Sequence, residues 1–164
     1  MNRLYLWYQY RCTEYPSPFT IPNNQNRSWR RNYIPWAGQL VVYILMDFHR
    51  ALIKPKDFIG KFQTSIHKAL STYSQDLILN QEETGIFYKD QKIASFGLKL
   101  TKKGSYHGAA INRNMNLDAW KEIVICGNPD HQATDLFSLG VNVDRDKLAN
   151  EMMRSIRLEF GEDI

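Results

Sequence analysis

The amino-acid sequence predicts an α+β (mixed α/β) domain in which a central mixed sheet is flanked by helices. Three observations carry that prediction. Residues 39–46 (QLVVYILM) form a nearly continuous apolar run with β-branched side chains, as in a strand buried on both faces. Short strand-like segments separated by polar turns follow between residues 77 and 113. One stretch before those strands and one after them place an apolar residue every four positions, as helices with one buried face do.

Taken in order, the strand over 39–46 comes first. Pro55 then suits the first turn of a helix, where its missing N–H costs nothing. Phe58, Phe62, Ile66 and Leu70 form the apolar face of that helix. Residues 77–79 and 85–88 read as short strands, 89–91 as a polar turn, and 92–100 (KIASFGLKL) as a longer strand. Residues 101–105 (TKKGS) make a second turn and 106–113 a further strand, so that the group reads as a hairpin or meander. Leu148, Met152, Ile156 and Phe160 give the last helix its buried face, and Asp144 is placed to cap it.

A chain of 164 residues suits one domain with a single core. With 43% hydrophobic and 23% charged residues it falls among globular proteins, not disordered ones. No apolar run reaches the roughly 18 residues of a membrane span, and the first residues lack the pattern of a secretory signal. A cytoplasmic protein is therefore expected. Two cysteines, Cys12 and Cys126, read as free thiols in a reducing compartment, and no Cys/His spacing fits zinc.

The sequence changes character near Ala37. Residues 1–36 hold four of the six prolines, three of the four tryptophans, five arginines and a single acid, Glu14. No strand or helix period persists there, so 1–36 is expected to be an atypical, poorly ordered segment ahead of a catalytic domain at 37–164. The rest of the chain balances 16 basic against 16 acidic residues, so the net charge of +4 belongs wholly to the first 36. A basic nucleic-acid-binding module would rest on that segment alone, and nucleic acid is not expected as a partner.

Four pieces in order carry a resemblance. Gly38-Gln39-Leu40-Val41 opens the buried strand, and KIASFGLKL follows at Lys92 to Leu100. SYHGAAIN stands at Ser105 to Asn112, and Cys126-Gly127 falls sixteen residues after Ala110. Together they resemble the octanoyl-[acyl carrier protein]:protein octanoyltransferase family, over about residues 37–139. The resemblance implies the fold of biotin and lipoate protein ligases, with an incomplete N-terminal part. It implies an acyltransferase of protein lipoylation that uses no cofactor and no metal. The donor would be octanoyl-acyl carrier protein. The acceptors would be the lipoyl domains of 2-oxoacid dehydrogenases and the glycine cleavage H protein, with no membrane involved.

The resemblance also assigns residues. Cys126 matches the family nucleophile and Lys92 its partner. Ser95, Phe96, Gly97, His107, Gly108, Ala109 and Ala110 match the acyl pocket. The chemistry is consistent with those residue types. Thioester-to-amide transfer is eased by a covalent acyl-enzyme, and a thiolate is the attacking species. Small residues at Gly97, Gly108, Ala109 and Ala110 let a hydrocarbon chain lie against backbone, at about 0.8 kcal/mol per buried CH₂. Taken singly, Cys126 reads equally as a small buried hydrophobe, Lys92 as a solvated charge, His107 as a structural histidine, and Gly97 and Gly108 as bulge positions. Two alternatives stay open: an inactive relative, and an ATP-dependent lipoate or biotin ligase on the same fold.

The sequence departs from the family in two places. Val124-Ile125 precedes Cys126 where the family has Asn-Pro or Pro. Upstream, the family's Arg-Gly-Gly and Tyr-His-Gly-Pro-Gly-Gln are reduced to Gly38-Gln39, with Pro35 in place of the histidine and Ser28 in place of the arginine. Residues 27–37 (RSWRRNYIPWA) can be encoded by a string that, read one nucleotide later, gives Asp-Arg-Gly-Gly-Glu-Ile-Thr-Tyr-His-Gly and the start of Pro. Residues 1–36 are thus expected to be the product of a shifted reading frame, with a genuinely divergent N-terminus as the competing reading.

Overall fold

A computed structural model of the chain describes residues 4–9, 38–120 and 132–161. The described chain runs β1 (Leu4–Gln9), β2 (Gln39–Asp47), α1 (Phe48–Ala51), α2 (Pro55–Ser71), β3 (Leu77–Asn80), β4 (Gly85–Tyr88), β5 (Gln91–Leu100), β6 (Gly104–Asn112), a 3-10 turn at Leu117–Trp120, β7 (Gln132–Ala133) and α3 (Arg145–Phe160). The described strands form one sheet in the order β1-β2-β6-β5-β4-β3, all antiparallel, and β7 adds a parallel pairing, to β5. The sheet is therefore mixed, as the sequence predicts.

The first strand of the regular pattern is buried on both faces only in part. Gln39 to Val42 are all buried, and from Tyr43 onward exposure alternates, leaving Leu45 and Asp47 exposed. Val42 and Ile44 face a core shared with Ile86, Ala94, Ala109 and Ile111 from the neighbouring strands. Helices α2 and α3 close that face. Phe58, Phe62, Ile66 and Leu70 are each fully buried, as are Leu148, Met152 and Ile156. Each such side chain contributes about 1.5–3 kcal/mol on leaving water, so the two apolar stripes fix both helices against the sheet. Phe62 meets Phe96 of β5 edge-on at 5.9 Å between centroids.

Local signals set the ends of the helices. Pro55 occupies the first turn of α2. Asp144 caps α3 through acceptance from the N–H groups of Asp146 and Lys147, and Gly161 ends it with φ +73°. Ser155 donates to the carbonyl of Ser65 at 2.7 Å, and Lys68 pairs with Glu159 at 2.7 Å, joining α3 to α2.

The strand β1 lies antiparallel along β2, from Leu4 opposite Met46 to Gln9 opposite Val41. The sequence does not announce it, because LYLWYQ alternates no polar with apolar side chains. Residues 1–3 and 10–37 lie outside the described residues. Among the described residues, no helix is long and apolar enough to cross a membrane.

Candidate active site

The face of the sheet turned away from α2 and α3 carries a cavity of about 520 Å³, a size ordinary for a small-ligand site. Ser95, Phe96, Gly97, His107, Gly108, Ala109 and Ala110 all line it. Each is a residue the sequence proposes for an acyl pocket. The registers explain why they gather. Val41, Ala110 and Ser95 stand opposite one another across β2, β6 and β5, and Tyr43, Gly108 and Gly97 form the next row. Directly opposed residues of antiparallel strands share a face, so small side chains in adjacent rows leave a trough on the sheet.

Val41, Tyr43 and Lys99 also line the cavity and were not singled out from sequence. Alternation along a strand could have found them. Lys99 stands two places beyond Gly97, and Val41 and Tyr43 share one parity on β2.

At His107 the strand departs from its own pattern. Alternation would turn this side chain towards the helices, yet it is exposed and lines the cavity. Its φ is +71°, in the left-handed region that non-glycine residues seldom enter. The β2–β6 pairing is interrupted at the same point. Tyr43 opposes Gly108, and partners resume only at Met46 and Ser105. Gly108 follows because nothing larger fits: a β-carbon there would overlap the carbonyl oxygen of Val42. The imidazole of His107 lies 5.0 Å from the ring of Tyr106.

Lys92 is 3% exposed. The β4–β5 register shifts between Ile86 and Phe87, so that Gly85 opposes Ser95 but Phe87 opposes Lys92. Such a bulge re-aims side chains and is frequent beside active sites. Here it brings Lys92 to the cavity face. Gly85 and Ser95 share that face, and Lys92 Cε and Nζ fill the space a β-carbon on Gly85 would need. Nζ donates to the carbonyl of Glu83 at 2.9 Å and stands 5.3 Å from the ring centroid of Phe87.

A buried polar seam holds the backbone at Lys92. The carboxamide Nδ2 of Asn112 donates to the carbonyls of Thr134 at 2.9 Å and Lys92 at 3.4 Å. Two carbonyl partners require the NH₂ group, so Oδ1 of Asn112 faces Gln39 and accepts from its Nε2 at 2.9 Å. The N–H of Thr134 donates to Lys92 at 3.0 Å, and β7 pairs Ala133 with Lys92. Buried Asp135 accepts from the N–H groups of Met115 and Ser138, both at 2.7 Å, which fixes the turn after β7. Gln39 and Asn112 belong to the motif segments, and the structure gives them this scaffolding place.

Cys126 lies outside the described residues, as do Val124, Ile125 and Gly127. The chain re-enters the described structure at Gln132, six residues after Cys126 and opposite Gln91, with Ala133 next and paired to Lys92.

The model of the family described as the lipoyl protein ligase A/B catalytic domain matches residues 36–157. An octanoyltransferase of Alcanivorax borkumensis is 30% identical over 124 residues, covering 76% of this chain and 50% of that protein. An octanoyltransferase of Hydrogenovibrio crunogenus is 34% identical over 99 residues, covering 60% and 47%. The chain spans about half the length of the curated relatives it matches. Among solved structures, the biotin protein ligase of Aquifex aeolicus superposes with a TM-score of 0.60 at 18% identity, over 77% of this chain and 54% of that one. A lipoate-protein ligase A bound with ATP gives 0.60 at 15% identity, over 76% and 53%. The fold is that of biotin and lipoate protein ligases, as the resemblance implies.

Proposed function

The chain belongs to the lipoyl protein ligase A/B catalytic domain family, and from that premise we propose that it is a cytoplasmic octanoyltransferase of protein lipoylation. It moves an octanoyl group from octanoyl-acyl carrier protein to the acceptor lysine of a lipoyl domain. The observation that carries this reading is the apolar trough of Ala110, Gly108 and Gly97, with the Lys92 amino group packed on Gly85, the residue opposite Ser95 of the trough.

In this reading the octanoyl chain lies in the trough with its thioester carbonyl at the Lys92 end. Lys92, as the amine, takes the proton of the Cys126 thiol. The thiolate attacks the thioester carbonyl, a new carbon–sulfur bond forms, and the carrier's thiol departs with the proton from Lys92. The acceptor lysine then attacks the acyl-enzyme, an amide bond forms, its proton passes to Lys92, and the Cys126 thiolate is released. Neither half-reaction consumes ATP, because the carbonyl is already activated as a thioester. The rigid bed under Lys92, from Asn112, Thr134 and β7, serves the positioning that such transfers need.

The test mixes the chain with octanoyl-acyl carrier protein and follows intact mass. One octanoyl group should appear on the peptide that contains Cys126, and it should pass to an added lipoyl domain without ATP. Cys126→Ser should form no thioester. Transfer that needs free octanoate and ATP, or that survives Cys126→Ser unchanged, overturns the reading in favour of a ligase.

A further inference from the structure

Among the described residues, three buried side-chain atoms lack a hydrogen-bond partner: Gln39 Oε1, Arg113 Nε and Trp120 Nε1. The first is the acceptor of the three, on a residue only 4% exposed. Its amide cannot turn over to hide the oxygen. Asn112 uses its NH₂ group on the carbonyls of Lys92 and Thr134, so its Oδ1 needs a donor. Gln39 Nε2 supplies that donor at 2.9 Å, and the same network leaves Oε1 open. Buried acceptors are nearly always satisfied, so an open one points to a donor that arrives with a ligand.

The registers place this acceptor. Val41 and Ala110 stand opposite one another in the trough, and Gln39 and Asn112 form the next pair of the same parity on β2 and β6. The direction of that step is towards Lys92, whose carbonyl Asn112 holds. From Ala110 to Gln39 is one diagonal across neighbouring strands, about 7–8 Å.

In the acyl-transfer reading the thioester carbonyl sits at this end of the trough, and the donor continues beyond it. Acyl carrier protein and coenzyme A both present their thiol on a β-mercaptoethylamide arm. Its amide nitrogen is four bonds from the acyl carbon, about 5–6 Å when extended, with carbon–carbon bonds of about 1.5 Å. A hydrogen bond adds about 3 Å. That reach spans the diagonal to Gln39.

We propose that Gln39 Oε1 accepts the amide N–H of the donor's thiol arm, which makes Gln39 a donor-binding residue. The proposal rests on the acyl-transfer reading of the cavity. It adds the part of the donor that the chain recognises besides the acyl group.

The test compares two small donors in the acylation of Cys126, followed by intact mass. One is the octanoyl thioester of N-acetylcysteamine. The other is the octanoyl thioester of 2-mercaptoethyl acetate, in which an ester oxygen replaces the amide N–H. The unaltered chain should prefer the amide by about tenfold in kcat/KM, the scale of one hydrogen bond. Gln39→Met also loses the bond to Asn112, so both rates fall, but the preference should fall to about one. Gln39→Glu should keep it. Burial favours the neutral acid, which donates to Asn112 Oδ1 and still presents a carbonyl. Octanoyl-coenzyme A and octanoyl-acyl carrier protein share the arm, and the one with the higher kcat/KM on the unaltered chain is its source. Equal rates for the two small donors in the unaltered chain, or a preference that survives in Q39M, overturn the contact and leave the acyl-transfer reading standing. Failure of the unaltered chain to form an acyl-enzyme overturns both.

Discussion

The head of Lys92 lies in the space that a β-carbon on Gly85 would occupy, with Nζ 2.9 Å from that position. The two residues belong to adjacent strands, and the bulge between Ile86 and Phe87 brings them together. In the proposed acyl transfer, Gly85 is a positioning residue that acts through Lys92.

Gly85→Ala should displace the amino group without unfolding the chain. The two nearest obstructed atoms are the far end of a flexible side chain, the Ala94 carbonyl oxygen stands at 3.0 Å, and the φ of Gly85 is not among the positive ones. Displacements of about 1 Å at a reacting group cost on the order of 100-fold in rate. Octanoyl transfer should fall by about that factor while the thermal midpoint moves by only a few degrees. Unaltered transfer in G85A would mean that the position of the Lys92 head does not matter to the chemistry.

Gly108 is one of the glycines that backbone hems in closely. A methyl group there would overlap the Val42 carbonyl, which is backbone and cannot swing aside. Gly108→Ala should therefore separate β6 from β2 at the centre of the sheet, at a cost of roughly 3 kcal/mol or more. Gly97→Ala is the matched control, because a β-carbon at Gly97 meets nothing within 4 Å. Denaturant midpoints of the two variants should differ widely, with G97A close to the unaltered chain.

Much of this was legible in the sequence. The four-residue spacing of Phe58, Phe62, Ile66 and Leu70 marks a face that is indeed fully buried, and Asp144 caps α3 as its position before the periodic run implies. The pocket residues converge because short-range alternation on β5 and β6 aligns Gly97 with Gly108 and Ser95 with Ala110. Three features were not legible, because each depends on a partner strand. The place of Lys92 depends on a register shift against β4. The positive φ of His107 falls where the β2–β6 pairing is interrupted. The seam of Gln39, Asn112 and Thr134 joins residues far apart in sequence. The strand β1 escaped notice because its side chains carry no polar–apolar rhythm.

Acid should weaken α3 from its N-terminus. The Asp144 carboxylate accepts from the N–H groups of Lys147 and Asp146, which hold its pKa below the usual 3.8. A depressed folded value means that the cap contributes fully above the unfolded value and is lost as pH falls below 3.8 and through the folded value. Asp144→Asn keeps an acceptor but does not titrate, so its thermal midpoint should fall less steeply than that of the unaltered chain below pH 4 or so. Asp144→Ala should be less stable than either at neutral pH. Parallel acid slopes for D144N and the unaltered chain would remove Asp144 from the pH response.

The gene itself offers a decisive measurement at residues 27–37. Trp29 and Trp36 each have one codon, and read one nucleotide later each becomes a glycine codon. Those glycines fall where the octanoyltransferase pattern has them, and the match to the family begins at residue 36, where the atypical composition stops. Sequencing this stretch should give codons whose next frame reads Asp-Arg-Gly-Gly-Glu-Ile-Thr-Tyr-His-Gly-Pro into Gly38-Gln39. Codons incompatible with that reading would make residues 1–36 a lineage of their own. If the codons agree, the chain with the restored loop should transfer octanoyl groups faster than the chain as it stands. That loop joins β2 at Gly38, whose φ of +88° and close approach to Asn114 already hold the turn into the strand.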